Sequence, residues 1–398
     1  MTNLRKFQAV EGKELKEKLR AELEIRRSEL VRLSLDIHDN PELGFQEVKA
    51  ASWLSDYLKS NGFCVEPNIA GLSTAFRAVY GEGKPKIVVL AEYDALPGIG
   101  HGCGHNIIAA SAVGAGVASK IVVDNLGGSI IVLGTPGEEN FGSKIDMVKA
   151  GIFDDVDVAM MAHPSMLNMA IYRTLACLSL EVEFFGKGVH AAAQPAEGVN
   201  ALEAIILAFN SINSLRQHIK EQARIHGIIT DGGEAPNVVP AHSAAKFIIR
   251  APDYAYLEEL QGKVLNCFKG ASLASGARLE YRWGDKVYAP IKNNVALAKL
   301  FSDNLELMGR RLDVFDLQIP FGSSDMGNVS QVVPSMHPMV AIVSPKVPLH
   351  SAEFASAAAS EAGHQGLLDA AKAMAMTMVD VIGRPEVLEK IKQEFRSS

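Results

Sequence analysis

The sequence predicts an α/β chain whose mostly parallel sheet is interrupted by a smaller inserted domain of ferredoxin-like α+β order. Three observations carry this reading. At 398 residues the chain exceeds what one hydrophobic core ordinarily organises, so two domains are expected. In the first part, short apolar runs rich in β-branched residues alternate with helical patterns, as in parallel sheets joined by crossover helices. From Thr174 to Ala289 the order becomes β-α-β-β-α-β, the split unit of ferredoxin-like domains. The domains are therefore 1–173 with 290–398, and 174–289.

In chain order, Lys13 to His38 carries Leu, Ala and Ile at helical spacing with charges between, and Gln46 to Ser60 reads as a further helix. KIVVLAE (Lys86 to Glu92), SIIVLGT (Ser129 to Thr135) and VDVAMMAH (Val156 to His163) read as buried strands. NIIAASAVGAGVASK, from Asn106 to Lys120, is small, apolar and long enough for a buried helix. Past Leu175, LSLEVEF alternates as a half-buried strand does. GVNALEAIILAFNSINSLRQHI is amphipathic, and HGIIT, AAKFIIRAP, a helix from Tyr254 to Lys269 and ARLEYRW complete the unit. A long Ala/Met-rich helix is expected near Ala355 to Ile382.

Composition narrows the function. The net charge of −7 and the lack of a Lys/Arg cluster argue against a nucleic-acid surface. The stretch from Met1 to Leu30 is too charged for a signal peptide or membrane span. Cys64, Cys103, Cys177 and Cys267 stand far apart, which points to reduced thiols in a cytoplasmic protein.

The segment GIGHGCGHN, Gly98 to Asn106, sets one cysteine and two histidines among four glycines directly after a strand. As a dinucleotide loop it fails, because Cys103 or His105 falls where the third glycine belongs, and no Walker motif occurs. As a nucleophilic-thiol site it has the right chemistry, with Cys103 near an imidazole at a helix start. That reading leaves the other unusual strand-end residues unexplained. Asp94 follows the first strand, Glu138 and Glu139 follow the second, and His163 ends the third, where open α/β sheets place their sites. His350 lies in a Pro-bounded loop near the end of the chain.

A metal reading uses them all. Thiolate, imidazole and carboxylate together suit zinc, with manganese or cobalt as alternatives. Cys103, His105, Glu139, His163 and His350 exceed what one catalytic zinc needs, and two divalent ions sharing the Cys103 sulfur would use them. Glu138 is then available as general base. Against this stand ordinary readings: a lone Cys is usually a small hydrophobe, and the glycines permit a tight turn in any case. His38, His218, His226, His337 and His364 are read as ordinary polar residues.

With these residues assembled, the chain resembles the dinuclear-zinc aminoacylase and glutamate carboxypeptidase family of metallopeptidases. Within it, the chain looks like the amidohydrolase branch of aminobenzoyl-glutamate hydrolase and dipeptidase-like proteins. The likeness runs from about His38 to about Ile382, through DIHDNPELGFQE, LAEYDALPGIGHGCGHN, GTPGEEN, AHPSM, FFGKGVHAAAQPAEGVNALEA, APNVVPAHSAAKFIIRAPD, FGSSDMGNVS and PLHSAEF. It implies that Cys103 takes the place of a bridging aspartate, that Glu138 is the general base and that Asp94 supports a ligand. It further implies that the inserted domain is a lid and dimerisation module. His190 of GKGVHAA would reach the partner subunit's site in a homodimer to stabilise an oxyanion, and Asn237 and Arg250 would bind the substrate's carboxylate end. Where the family usually has His-x-Asp after the first strand, this chain has Glu92-Tyr93-Asp94. His105 is taken to compensate, and the division of ligands between two metals is open.

The expected reaction is hydrolysis of a small-molecule amide, an N-acyl amino acid or dipeptide-like substrate, by metal-activated water. Two other readings stand beside it: hydrolytic deamination by the same water, and a catalytically silent small-molecule-binding dimer. Serine-hydrolase chemistry lacks its G-x-S-x-G elbow.

Overall fold

The computed structural model describes residues 9–140, 142–314 and 322–397. Phe321, the first residue of the FGSSDMGNVS motif, and the start of the charged N-terminal stretch lie outside these. Two compact units result. The first draws on the described residues of Met1–Tyr172, Ile291–Leu317 and Asp325–Ser398, the second on those of Arg173–Pro290 and Gln318–Ser324.

In chain order the strands are β1 (Cys64–Pro67), β2 (Phe76–Glu82), β3 (Lys86–Ala91), β4 (Gly128–Gly134), β5 (Val158–Met160) and β6 (His163–Ser165). The second unit contributes β7 (Ala176–Phe185), β8 (Arg224–Asp231), β9 (His242–Ala251) and β10 (Arg278–Trp283). The chain then returns with β11 (Ser335–Met336) and β12 (Met339–Ala341).

The first unit's main sheet has the order β1-β2-β4-β3-β5-β11. β3 runs parallel to β4 and β5, and β11 parallel to β5. β1 and β2 add an antiparallel edge. That edge goes unrecognised in the sequence because CVEP is mostly exposed and FRAVYGE only partly buried, so neither reads as an apolar run.

β3 and β4 are buried along nearly their whole length because helices cover both faces. The helix His105–Ala118 is buried at all 14 positions. Leu19, Leu23 and Leu30 of the two N-terminal helices share its core with Met374 and Met378 of the helix Glu361–Gly383. Fully burying each such side chain contributes roughly 1.5–3 kcal/mol. The C-terminal helix expected from Ala355 to Ile382 is in fact two, Ala352–Ala358 and Glu361–Gly383. The break falls at Ser360, whose hydroxyl caps the second by accepting from Gly363 N.

The third expected strand is also divided. β5 ends at Met160, and His163 opens β6, which pairs with β12 in register Met339↔His163. His163 therefore starts a strand, where the sequence reading has it end one. Both chains jog together, at Met161–Ala162 and at His337–Pro338. Pro164 and Pro338 carry no N–H with which to continue a central ladder.

In the second unit all pairings are antiparallel, in the order β10-β7-β9-β8. Alternate residues of β7 (Leu178, Leu180, Val182, Phe184) face the helices Ala201–Leu215 and Tyr254–Ser275. Asn200 and Asp253 cap those helices through their side chains. β8 is an edge strand and exposes Ile228 and Ile229.

Candidate functional site

Within the first unit, loops following β3 and β4 meet the start of β6 and the loop before the helix Ala352–Ala358. Gly104, at φ +74, holds a left-handed conformation, and a Cβ there would stand 2.6 Å from Pro164 Cγ. Glycine thus lets the chain turn sharply between Cys103 and His105. His350 adopts φ +61, unusual for a side-chain-bearing residue, and its N–H donates to Gly102 O at 2.9 Å. That bond ties the far end of the chain to the cysteine loop.

Hydrogen bonds fix which nitrogen of each imidazole faces inward. His163 Nδ1 donates to the Pro164 carbonyl at 2.6 Å, leaving Nε2 3.5 Å from Cys103 Sγ. His105 Nδ1 lies 3.0 Å from Asp94 Oδ1, leaving Nε2 to point the other way. The second Asp94 oxygen accepts from Glu139 N at 3.0 Å. Glu139 Oε1 lies 3.2 Å from His350 Nε2. Three sets of donor atoms fall within 4.8 Å of one another: Cys103, His105 and His163; Cys103, Glu139 and His350; and His105, Glu138 and Glu139. Cys103 belongs to both of the first two.

The electrostatics follow from burial and crowding. Burial, then the charge of Glu139, pushes the Glu138 carboxyl well above the usual carboxylate range. Burial acts the same way on Glu139, but the His350 hydrogen bond and His105 outweigh it and hold that carboxyl low. Burial raises the Cys103 thiol, reinforced by Glu139. His163 is pushed down to about 4 by burial and then by His105. His105 is held well above its ordinary value, because Asp94 and Cys103 overcome the burial that would lower it.

Two buried atoms, His105 Nε2 and Glu92 Oε2, have no hydrogen-bond partner and lie 3.6 Å apart. Unpartnered buried polar atoms are costly, about 1–3 kcal/mol each. A cation among nitrogen, sulfur and carboxylate donors would relieve that cost, so the residues present fit divalent metal ions.

Several polar residues beside this cluster escape a sequence reading. Lys144 is fully buried, with Nζ 2.5 Å from Glu92 Oε1 and 2.7 Å from Asp325 Oδ1. Burial opposes its charge, but the two carboxylates prevail and hold it ionised. His337 is buried too. Its Nδ1 lies 2.6 Å from the Tyr172 hydroxyl, and its ring centroid 5.6 Å from that of His163.

His190, Asn237 and Arg250 belong to the second unit. His190 is exposed, and its Nδ1 accepts from Ala192 N and Ala193 N at 3.3 and 3.2 Å, which places its proton on Nε2. Ala191 N donates to Asn237 O at 2.9 Å, so His190 and Asn237 stand on adjoining backbone. Arg250, on β9, donates to Ser323 Oγ at 2.6 Å. Among the described residues no carboxylate pairs with it.

Comparison with known proteins agrees with this architecture. Residues 176–274 match the family model of the M20 peptidase dimerisation domain. The chain is 38% identical over 381 residues to a Mus musculus Xaa-Arg dipeptidase, covering 92% of this chain and 88% of that protein. It is 30% identical over 448 aligned positions to one of the subunits of the Escherichia coli p-aminobenzoyl-glutamate hydrolase, covering 94% and 93%. Among solved structures, a Bacillus subtilis protein described as a dinuclear metal-binding peptidase superposes with TM-score 0.68 at 19% identity, covering 90% of this chain and 99% of that one. Near-full-length likeness to curated amide-bond hydrolases makes this chain an enzyme of the same kind, a member of the M20 metallopeptidase family.

Proposed function

We propose that the enzyme hydrolyses the amide bond of small N-acyl amino acids or dipeptide-like substrates bearing a free carboxylate, and that Cys103, His105, Glu139, His163 and His350 would hold two divalent ions. The observation that carries the dinuclear part is the membership of Cys103 in two donor sets, one with His105 and His163, the other with Glu139 and His350. Such ions, zinc first and manganese or cobalt as alternatives, polarise a carbonyl and make water nucleophilic at neutral pH. The substrate class draws on the dipeptidase and aminobenzoyl-glutamate hydrolase relatives.

Glu138 is the proton carrier. Its buried carboxyl, next to the candidate ligand Glu139 and grouped with His105, accepts a proton from the attacking water and delivers it to the leaving nitrogen. Asp94 orients His105 and holds the backbone of Glu139. Arg250 and Asn237 receive the substrate's carboxylate, a role suited to an always-charged fork that no carboxylate of the described chain occupies. The protein acts as a homodimer through its second unit, whose exposed edge strand β8 can be extended by a second copy. His190 serves the partner's site, where its Nε2–H would donate to the developing oxyanion.

The test is a screen of N-acyl amino acids, aminobenzoyl-glutamate and dipeptides with zinc-, manganese- and cobalt-reconstituted enzyme, each also as its carboxyl-amidated form. Preference for free acids supports the reading. Equal rates on free and amidated forms would remove Arg250 from it, and ammonia release without acyl cleavage would replace it with deamination.

A further inference from the structure

The motif DIHDNPELGFQE carries no reacting group, yet it touches both loops that follow β3 and β4. Ile37 O lies 3.1 Å from His101 Nε2, in the cysteine loop. Glu42 O accepts from Ala95 N at 2.8 Å, beside Asp94. Glu47 Oε1 accepts from Gly137 N at 2.7 Å, immediately before Glu138. The fit at the last contact is close: Gly137 has φ +68, and a Cβ there would stand 2.7 Å from the Phe45 ring.

Glu47 is the unexpected member. It is fully buried, although a buried carboxyl is costly and a helix start offers it easier work. That work is already done, since Glu42 accepts from Lys49 N and Ala50 N at 2.9 and 3.1 Å and so satisfies the helix Val48–Ser60. Glu47 instead faces inward. Its other oxygen accepts from Thr74 Oγ1 at 3.0 Å, and Thr74 O in turn accepts from Tyr93 OH at 2.6 Å. The carboxyl is therefore fixed from both sides and grips the peptide that leads into Glu138.

We propose that Glu47 is the positioning residue for Glu138. It holds the Gly137 peptide so that the Glu138 carboxyl stays in reach of both water and leaving nitrogen. This rests on the role given above to Glu138. Glu139 does not depend on the same grip, because its own N–H is held by Asp94. Loss of Glu47 should therefore damage proton transfer and spare metal binding, which general loosening of the site would not do.

The experiment uses zinc-reconstituted full-length enzyme and the best substrate from the screen. Glu47→Ala should lower kcat by about 10–10²-fold, the scale expected when a catalytic group moves by about 1 Å. KM and bound metal should stay near wild type. Glu47→Gln, which can still accept from Gly137 N and donate to Thr74, should restore most of the loss. In a Glu138→Gln background, Glu47→Ala should add almost nothing. Unchanged kcat, loss of metal in step with activity, or full additivity with Glu138→Gln would each overturn the proposal. Should Glu47→Ala not fold, Thr74→Val decides: a several-fold fall in kcat with metal retained supports the grip, and wild-type kcat refutes it. If wild-type enzyme and Glu138→Gln turn over equally, the role of Glu138 has failed, and with it the premise.

Discussion

Asp94 places one oxygen 3.0 Å from His105 Nδ1 and the other 3.0 Å from the backbone nitrogen of Glu139. One carboxylate thus orients two donors on different loops, at a position that is essentially sealed from solvent. Replacing it with alanine frees the ring to rotate and the Glu139 loop to drift. Asp94→Ala should weaken metal binding about 10–100-fold, measured by competition with a chelator of known affinity. Undiminished affinity would mean that neither donor needs Asp94.

The sharing of Cys103 makes a stoichiometric prediction. Removing His163 should cost one ion and leave the set of Cys103, Glu139 and His350, while removing His350 should do the converse. Cys103→Ala should lose both. Elemental analysis after dialysis checks all three, and a Cys103→Ala protein with two bound ions would contradict the bridge.

The paired glutamates should separate by phenotype. Glu138→Gln is expected to keep its metal and lose about 10²–10⁴-fold in turnover, the range for general acid–base groups. Glu139→Gln should instead lose metal first. Turnover measured alongside metal content distinguishes them, and the opposite pairing of effects would reverse their roles.

Stability should carry a signature of the proton on Glu47. Burial, reinforced by the charge of Asp94, pushes this carboxyl up to about 7. Between roughly pH 4.5 and 7 the folded protein holds a proton that the unfolded chain has released. The contribution is full below that window and is lost as pH rises through it. Glutamine does not titrate. From pH 5 to 8 the wild-type Tm should therefore fall relative to that of Glu47→Gln, by the equivalent of no more than about 3 kcal/mol. A constant difference across that range would show that Glu47 is ionised throughout.

Subunit exchange tests His190. Inactive His190→Ala and inactive Glu138→Ala proteins, once mixed, should regain activity, because a heterodimer pairs one doubly damaged site with one intact site. Recovery should approach about half the wild-type sites per heterodimer by that symmetry. Absence of recovery despite proven exchange would return His190 to its own chain.

What could be read from the sequence was what is local. Apolar runs bounded by Gly and Pro betrayed β3 and β4, and period-two alternation betrayed β7, since burial patterns repeat within a few residues. The strand-end positions of Asp94, Cys103, Glu138 and Glu139 were equally legible. Long-range pairings were not. Lys144 finds Glu92 and Asp325 at separations of 52 and 181 positions, and nothing near it distinguishes it from a surface lysine. His337 was read as ordinary, though it is buried against His163 and Tyr172. A single histidine beside proline carries no periodicity to betray its burial.

His350 comes from near the end of the chain, and its backbone is latched to Gly102. The helix Glu361–Gly383, which shares the core of His105–Ala118, arrives later still. During synthesis from the N-terminus, the contiguous stretch Arg173–Pro290 emerges with its sheet and both helices while the first unit still lacks everything from Ile291 onward. The sets of Cys103, His105 and His163 and of His105, Glu138 and Glu139 are encoded early, and the one completed by His350 much later. A nascent chain stopped before position 350 carries every residue of two donor sets but lacks a residue of the third, and it also lacks the helix Glu361–Gly383 that packs on His105–Ala118. On the two-ion reading, capacity for an ion that needs His350 would report that translation has passed that point.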